Sequence, residues 1–201
     1  PENLSKIFLR SHALFSKNKD SLIIGLLPGS RKAEIKNLLE VMVKAANLIH
    51  QNNKNAFFII SQATSIKRET LEKFLKDCSN KPLFQINEGP VKDIFLKSDL
   101  VIAASGTVTL EAALCCVPTI IVYKMSPISY RMAKLLVKVK YAGLANLIIN
   151  AQVMPELLQN DATPEKISEK ALYMLDNLFY FQNQLQMVKI SWKKRGLKKG
   201  C

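Results

Sequence analysis

Leu22-Ile23-Ile24-Gly25-Leu26-Leu27-Pro28-Gly29-Ser30-Arg31 is the stretch that decides the fold. An apolar run with no polar alternation suits a strand buried on both faces, as in the interior of a parallel sheet. Pro28-Gly29 stops it. Directly afterwards Ile35, Leu38, Leu39, Met42, Ala45, Ala46 and Ile49 recur at helical spacing, so residues 33–50 are predicted to form an amphipathic helix. Strand, glycine turn, helix is the unit to look for downstream.

It recurs. Ala56–Ile60, Leu83–Ile86, Leu100–Ala103 and Thr119–Val122 are short apolar runs, and helical patterns fill Ser65–Asp77, Val91–Lys97 and Thr107–Cys115 between them. No Asn-Gly hairpin signal joins one run to the next. Five alternations without hairpins predict an α/β domain with a doubly wound, Rossmann-like parallel sheet. Helices follow, at about 129–139, 165–178 and again from 181. The expected organisation is a linker or N-terminal extension over 1–20, a binding domain over 21–180 and a basic C-terminal tail over 181–201.

The chain has 201 residues, 48% of them hydrophobic, enough for a real core. Charged residues interrupt every apolar stretch, so no membrane span is predicted. No secretory signal opens the chain, and a start at Pro1 suggests a fragment. The four cysteines, at 78, 115, 116 and 201, lack metal-binding spacing, and the expectation is reduced thiols, with Cys115 and Cys116 buried on a helix. His12 and His50 are isolated and are given no catalytic role.

Lys and Arg number 29 against 16 Asp and Glu, a net charge of +13. Such a balance favours anionic partners. Basic residues without an intervening acid run from Lys124 to Lys140, and again from Lys189 to Lys199. No aromatic RNA-binding motif or zinc-finger spacing accompanies them, which argues against nucleic acid. Between 128 and 139, Ile128, Met132, Leu135, Leu136 and Val139 share a stripe flanked by Arg131, Lys134 and Lys138. Such a helix either packs on the core with a solvated basic face or lies on an anionic membrane surface.

In a parallel sheet, ligands bind beyond the carboxyl ends of the strands, where strand order reverses. In the usual order the first and fourth strands flank that point. The loops after them are Gly29-Ser30-Arg31 and Ser105-Gly106-Thr107. Both suit a diphosphate: glycines admit close approach, hydroxyls donate, Arg31 offers a guanidinium, and the helix from Thr107 presents free amides. Neither loop is a Walker loop or a full G-x-G-x-x-G, so neither ATP nor a nicotinamide cofactor is indicated. Glu111 lies one turn beyond Thr107 and could accept from a ribose diol, the alternative being a solvated helix glutamate.

Several blocks, in order, resemble lipid-A-disaccharide synthases. They are Leu26-Leu27-Pro28-Gly29-Ser30-Arg31 with Glu34-Ile35, Ala104-Ser105-Gly106-Thr107 with Leu110-Glu111, Val122-Tyr123-Lys124, Leu144-Ala145-Asn146-Leu147-Ile148 and Pro155-Glu156-Leu157-Leu158-Gln159. The resemblance spans about residues 22–175. It implies the C-terminal, UDP-holding domain of a two-Rossmann-domain (GT-B) glycosyltransferase. That enzyme moves 2,3-diacylglucosamine from UDP onto 2,3-diacylglucosamine 1-phosphate, with inversion and without a metal or other cofactor. It works in the cytoplasm, peripheral at the inner membrane of a Gram-negative bacterium. The resemblance places Ser30 and Arg31 on the donor phosphates, Ser105, Gly106 and Thr107 on the diphosphate, Glu111 on the ribose, and Asn146 and Gln159 near the donor sugar or phosphates. The catalytic base belongs to the other half, so no catalytic residue is assigned here. Two departures stand out: Ala145 replaces the family's proline, loosening the turn that presents Asn146, and the closing segment Ser191–Cys201 does not match. The rival expectations are another UDP-sugar transferase or a 2-epimerase of the same fold, or a remnant that binds and does not catalyse.

Overall fold

A computed structural model of the chain describes residues 21–75, 84–124 and 140–197. The helix expected at 129–139, its basic stripe, His12, Cys78 and Cys201 lie outside the described residues. The strands are β1 (Leu22–Leu27), β2 (Ala56–Ser61), β3 (Phe84–Asn87), β4 (Leu100–Ala104), β5 (Thr119–Tyr123) and β6 (Glu156–Leu158). The helices are α1 (Lys32–Asn52), α2 (Arg68–Leu75), α3 (Val91–Lys97), α4 (Thr107–Leu114), α5 (Leu144–Ile149), α6 (Pro164–Asp176) and α7 (Leu178–Leu197).

All strand pairs are parallel and the order is β3-β2-β1-β4-β5-β6. The expected doubly wound sheet is therefore present, with β1 at the centre and β4 beside it. Leu26 pairs with Ile60 on one side and Ile102 on the other. This double pairing is why the first run carries no polar alternation: Ile24 and Leu26 face one helical layer and Leu27 the other. On the first side α1 contributes Ile35, Leu38, Leu39, Met42 and Ile49, joined by Ile167, Ala171 and Met174 of α6. On the second, Ala112 and Ala113 of α4 and Ala145 of α5 meet Val101, Ala103 and Ile121. A fully buried leucine such as Leu39 contributes on the order of 2–5 kcal/mol, judged by truncation to alanine.

Three features differ from expectation. Residues 181–197, expected from the sequence both to start a helix and to form a basic tail, are helical. They continue α7, whose Phe181 joins the first core while Leu185 and Val188 enter the second, so this helix ties the two layers together. The strand β6 and the short helix α5 were not anticipated. Cys115 caps α4 and Cys116 adopts a left-handed conformation at φ 57°, so the pair closes a turn and does not ride on the helix. Both are free thiols, and burial pushes the pKa of each above the ordinary range. Among the described residues, no helix is long and apolar enough to cross a membrane.

Candidate functional site

Because every strand points the same way, every strand-to-helix loop opens on one edge. There the ends of β1, β2 and β4 and the start of α3 enclose a cleft of about 410 Å³. Six residues singled out from the sequence line it: Gly29, Ser30 and Arg31 on one side, Ser105, Gly106 and Thr107 on the other.

The β1–α1 loop is built around a carboxylate. Gly29 has φ +102°, a region glycine alone occupies without strain, and a Cβ there would collide with Glu34 Oε2. The amides of Ser30 and Arg31 donate to that same oxygen at 3.1 and 3.3 Å, and Arg31 Nη1 reaches Glu34 Oε1 at 3.4 Å. Glu34 is the third residue of α1, so its negative charge also sits at the positive end of a long helix. The Arg31 side chain remains 82% exposed and lines the cleft. Ser65 Oγ donates to Ser30 O at 2.7 Å, fastening the loop after β2 to the loop after β1.

Among the described residues, the β4–α4 loop carries no such occupant. Ser105 N donates to Val122 O at 3.1 Å, extending the ladder one residue past the strand. Its hydroxyl donates to Ala142 O at 3.0 Å, so its proton points away from the cleft. Gly106 is the N-cap of α4, extended at φ 164°, with no side-chain cap on the helix. A Cβ added to Gly106 would meet nothing within 4 Å. Thr109 Oγ1 donates to Gly106 O at 2.7 Å and holds the first turn from inside. The result is an uncapped helix start facing open space, the arrangement that receives anions through backbone amides.

Three sequence-predicted residues are not in the cleft wall. Glu111 is exposed on the second turn of α4. Gln159 follows β6 at φ 53°, on the same edge of the sheet but two strands away from β4. Asn146 is completely buried in α5. Its Nδ2 donates to Met154 O and Glu156 Oε1, both at 2.7 Å, while its Oδ1 accepts from Val153 N at 2.9 Å and Met154 N at 2.8 Å. Its amide is thus committed to the chain itself. These bonds hold Asn146 in place with alanine at 145.

The cleft also contains residues the sequence reading passed over: Leu27, Glu34, Ser61, Gln62, Ala63, Val91, Ala104 and Val108. Ser61–Ala63 lie at and just beyond the end of β2 and Val91 starts α3 after β3, so they could have been found from position alone, since all strand ends share this edge. Glu34 gave only the signal of an acidic residue in a helix's first turn, which capping explains without any site.

The lipid-A-disaccharide synthetase family matches residues 6–198 of this chain, so the closing helix lies within the match. The lipid-A-disaccharide synthase of Nitrosococcus oceani is 42% identical over 170 residues, which is 84% of this chain and 43% of that protein. The chain therefore spans less than half the length of this curated relative. Among solved structures, WaaG, described as a glycosyltransferase involved in lipopolysaccharide biosynthesis, aligns with TM-score 0.60 at 13% identity, over 94% of this chain and 47% of that one. A putative UDP-N-acetylglucosamine 2-epimerase from Listeria monocytogenes aligns with TM-score 0.56 at 17% identity, over 90% of this chain and 41% of that one. At such identities these two structures speak for the fold alone.

Proposed function

The chain belongs to the lipid-A-disaccharide synthetase family, and from that membership we propose that it is the part of a glycosyltransferase that holds the UDP-sugar donor. The donor in this reading is UDP-2,3-diacylglucosamine. The acceptor is 2,3-diacylglucosamine 1-phosphate, and the product is their β-1′,6-linked disaccharide. The observation that carries the reading is the uncapped start of α4, with Gly106 facing open space in a cleft at the carboxyl edge of the sheet.

The chemistry follows from that geometry. As the sugar leaves, negative charge builds on the UDP β-phosphate. Backbone amides at Gly106–Val108 and the positive end of α4 stabilise that charge without having to reorganise. Arg31 adds an exposed guanidinium from the facing loop. Its own amide and that of Ser30 are taken by Glu34, so this loop acts through its side chain. Glu111, further along α4, is assigned to the ribose. Gln159 is about 10 Å from β4 at ordinary strand spacing, which suits the sugar side of the diphosphate. Asn146 moves from ligand to support. The net charge of +13 supports peripheral attachment to an anionic membrane face, which co-sedimentation with anionic and neutral liposomes would test.

Calorimetric titration with UDP is the direct test: UDP should bind more tightly than uridine, since most of the proposed contacts are to phosphate. Absence of UDP binding overturns the reading. The 2-epimerase alternative shares the fold, whereas sequence identity favours the synthase. Preference for acylated over non-acylated UDP-glucosamine separates them. We expect no disaccharide from the chain alone, the acceptor side and the base being assigned to the remaining length of the relatives.

A further inference from the structure

We propose that Glu156, which lies outside the cleft wall, positions the Ser105 turn for phosphate binding by clamping the Ala142–Gly143 segment; this rests on the donor-binding reading above. Glu156 opens β6. Its Oε2 accepts from Ala142 N at 2.8 Å, and its Oε1 accepts from Gly143 N at 2.9 Å and from Asn146 Nδ2 at 2.7 Å. Three donors converging on one side chain need an acceptor with several lone pairs on two oxygens, which a carboxylate has and an amide lacks. Bonds to an ionised acceptor are also shorter and stronger than neutral ones.

The clamp has a firm backing. Gly143 packs so closely on β5 that a Cβ would collide with Ile121. Asn146, completely buried, bonds both Glu156 and the backbone of Val153 and Met154. The carbonyl of Ala142 is thereby held in place, and it is this carbonyl that receives the Ser105 hydroxyl proton at 3.0 Å. Ser105 is held again through its amide to Val122 O. The residue immediately before Gly106 is thus fixed by backbone and side chain together. A row of amides binds an anion well only when its direction is set before the ligand arrives. Glu156 sets it at one remove, through Ala142 and the Ser105 hydroxyl.

A purely structural glutamate would weaken every ligand alike. A positioning one acts on phosphate and acts through Ser105. The experiment is a double-mutant cycle on the whole chain with Ser105→Ala, Glu156→Gln and both together, titrated with UDP and with uridine. Glu156→Gln should weaken UDP by about 2- to 30-fold, the range seen for residues coupled through a packed network, and uridine by less than about twofold. The double variant should bind UDP no more weakly than the weaker single variant. Multiplying losses in the double variant, or equal losses for UDP and uridine, overturn the proposal. If Glu156→Gln does not fold, Glu156→Asp enters the same cycle: it keeps the charge but is too short to reach all three donors. A parent chain that fails to bind UDP sinks the donor-binding reading itself, whereas a parent that binds with multiplying losses sinks only this inference.

Discussion

The β1–α1 and β4–α4 loops leave neighbouring strands, open on the same cleft and each carry a glycine, yet they are built in opposite ways. Gly29 is left-handed and backed by the Glu34 carboxylate, which takes the amides of Ser30 and Arg31. Gly106 is extended and a Cβ on it would enter empty space. One glycine is required by the protein; the other is not, and in the donor-binding reading it leaves room for the ligand. A glycine in a strand-to-helix turn therefore has two separate meanings, and only the surroundings of its absent Cβ tell them apart.

The largest expected effect breaks the first loop. Gly29→Ala places an L-residue at φ +102° and drives its methyl into Glu34. Backbone strain and overpacking together should cost about 2–6 kcal/mol, read as a shift in the urea midpoint with the slope unchanged. A variant as stable as the parent would mean that Glu34 is not fixed behind Gly29 and that the two loops are not different after all.

Next comes Glu111→Ala, which asks how far the second loop's site extends along α4. A charged acceptor on a sugar hydroxyl contributes about 1.5–3 kcal/mol, so UDP affinity should fall roughly ten- to a hundredfold. Uridine should lose as much, because the contact is to ribose. Stability should hold, alanine being the better helix former. Glu111 is exposed and outside the cleft wall of the ligand-free fold. Unchanged UDP affinity would confine the site to the first turn of α4.

Gly106→Ala is the counterpart of the first substitution. The fold should tolerate it, since nothing lies within 4 Å of the new methyl. The methyl would stand where the diphosphate approaches, and overpacking against the ligand should weaken UDP by about 5- to 150-fold, the equivalent of about 1–3 kcal/mol. Loss of stability with intact binding would reverse the assignment of the two glycines.

The sequence made the sheet legible because burial on both faces leaves an unmistakable pattern. Ile23–Leu27 and Val101–Ala104 contain no charge and little alternation. It hid β6, which is three residues long, begins with an acid and, among the described residues, pairs only with β5. It showed a helix from 181 but not its role: Phe181, Leu185 and Val188 are buried, while the lysines further on suggested a basic tail. Position along the strands named six of the residues that line the cleft, because topology decides which loops meet. Side-chain direction was not legible. Asn146 stands in a motif that suggests a ligand contact, and only coordinates reveal an amide fully bonded to its own chain. The contrast between the two glycines was equally invisible, since it depends on Glu34, five residues further on.

Glu34 yields the smallest effect and the sharpest comparison. Glu34→Ala removes the acceptor for two amides and a guanidinium, with distances of 3.1–3.4 Å that mark modest bonds. The ion pair is solvent-exposed on the arginine side, so its own share is small. The amides lose a cap at the start of α1, which should cost about 0.5–2 kcal/mol of stability, read by urea denaturation. UDP affinity should stay within about threefold, because the amides of Ser30 and Arg31 serve the protein and the donor-binding reading assigns the phosphates to α4 across the cleft. A different result is physically open. Two amides and a helix start, once vacated, form an anion site of the same kind as the one opposite. If Glu34→Ala binds UDP or inorganic pyrophosphate more than about tenfold more tightly than the parent, then Glu34 is a resident anion that a phosphate displaces. The two loops would then be two halves of one phosphate clamp, one of them occupied in the ligand-free fold.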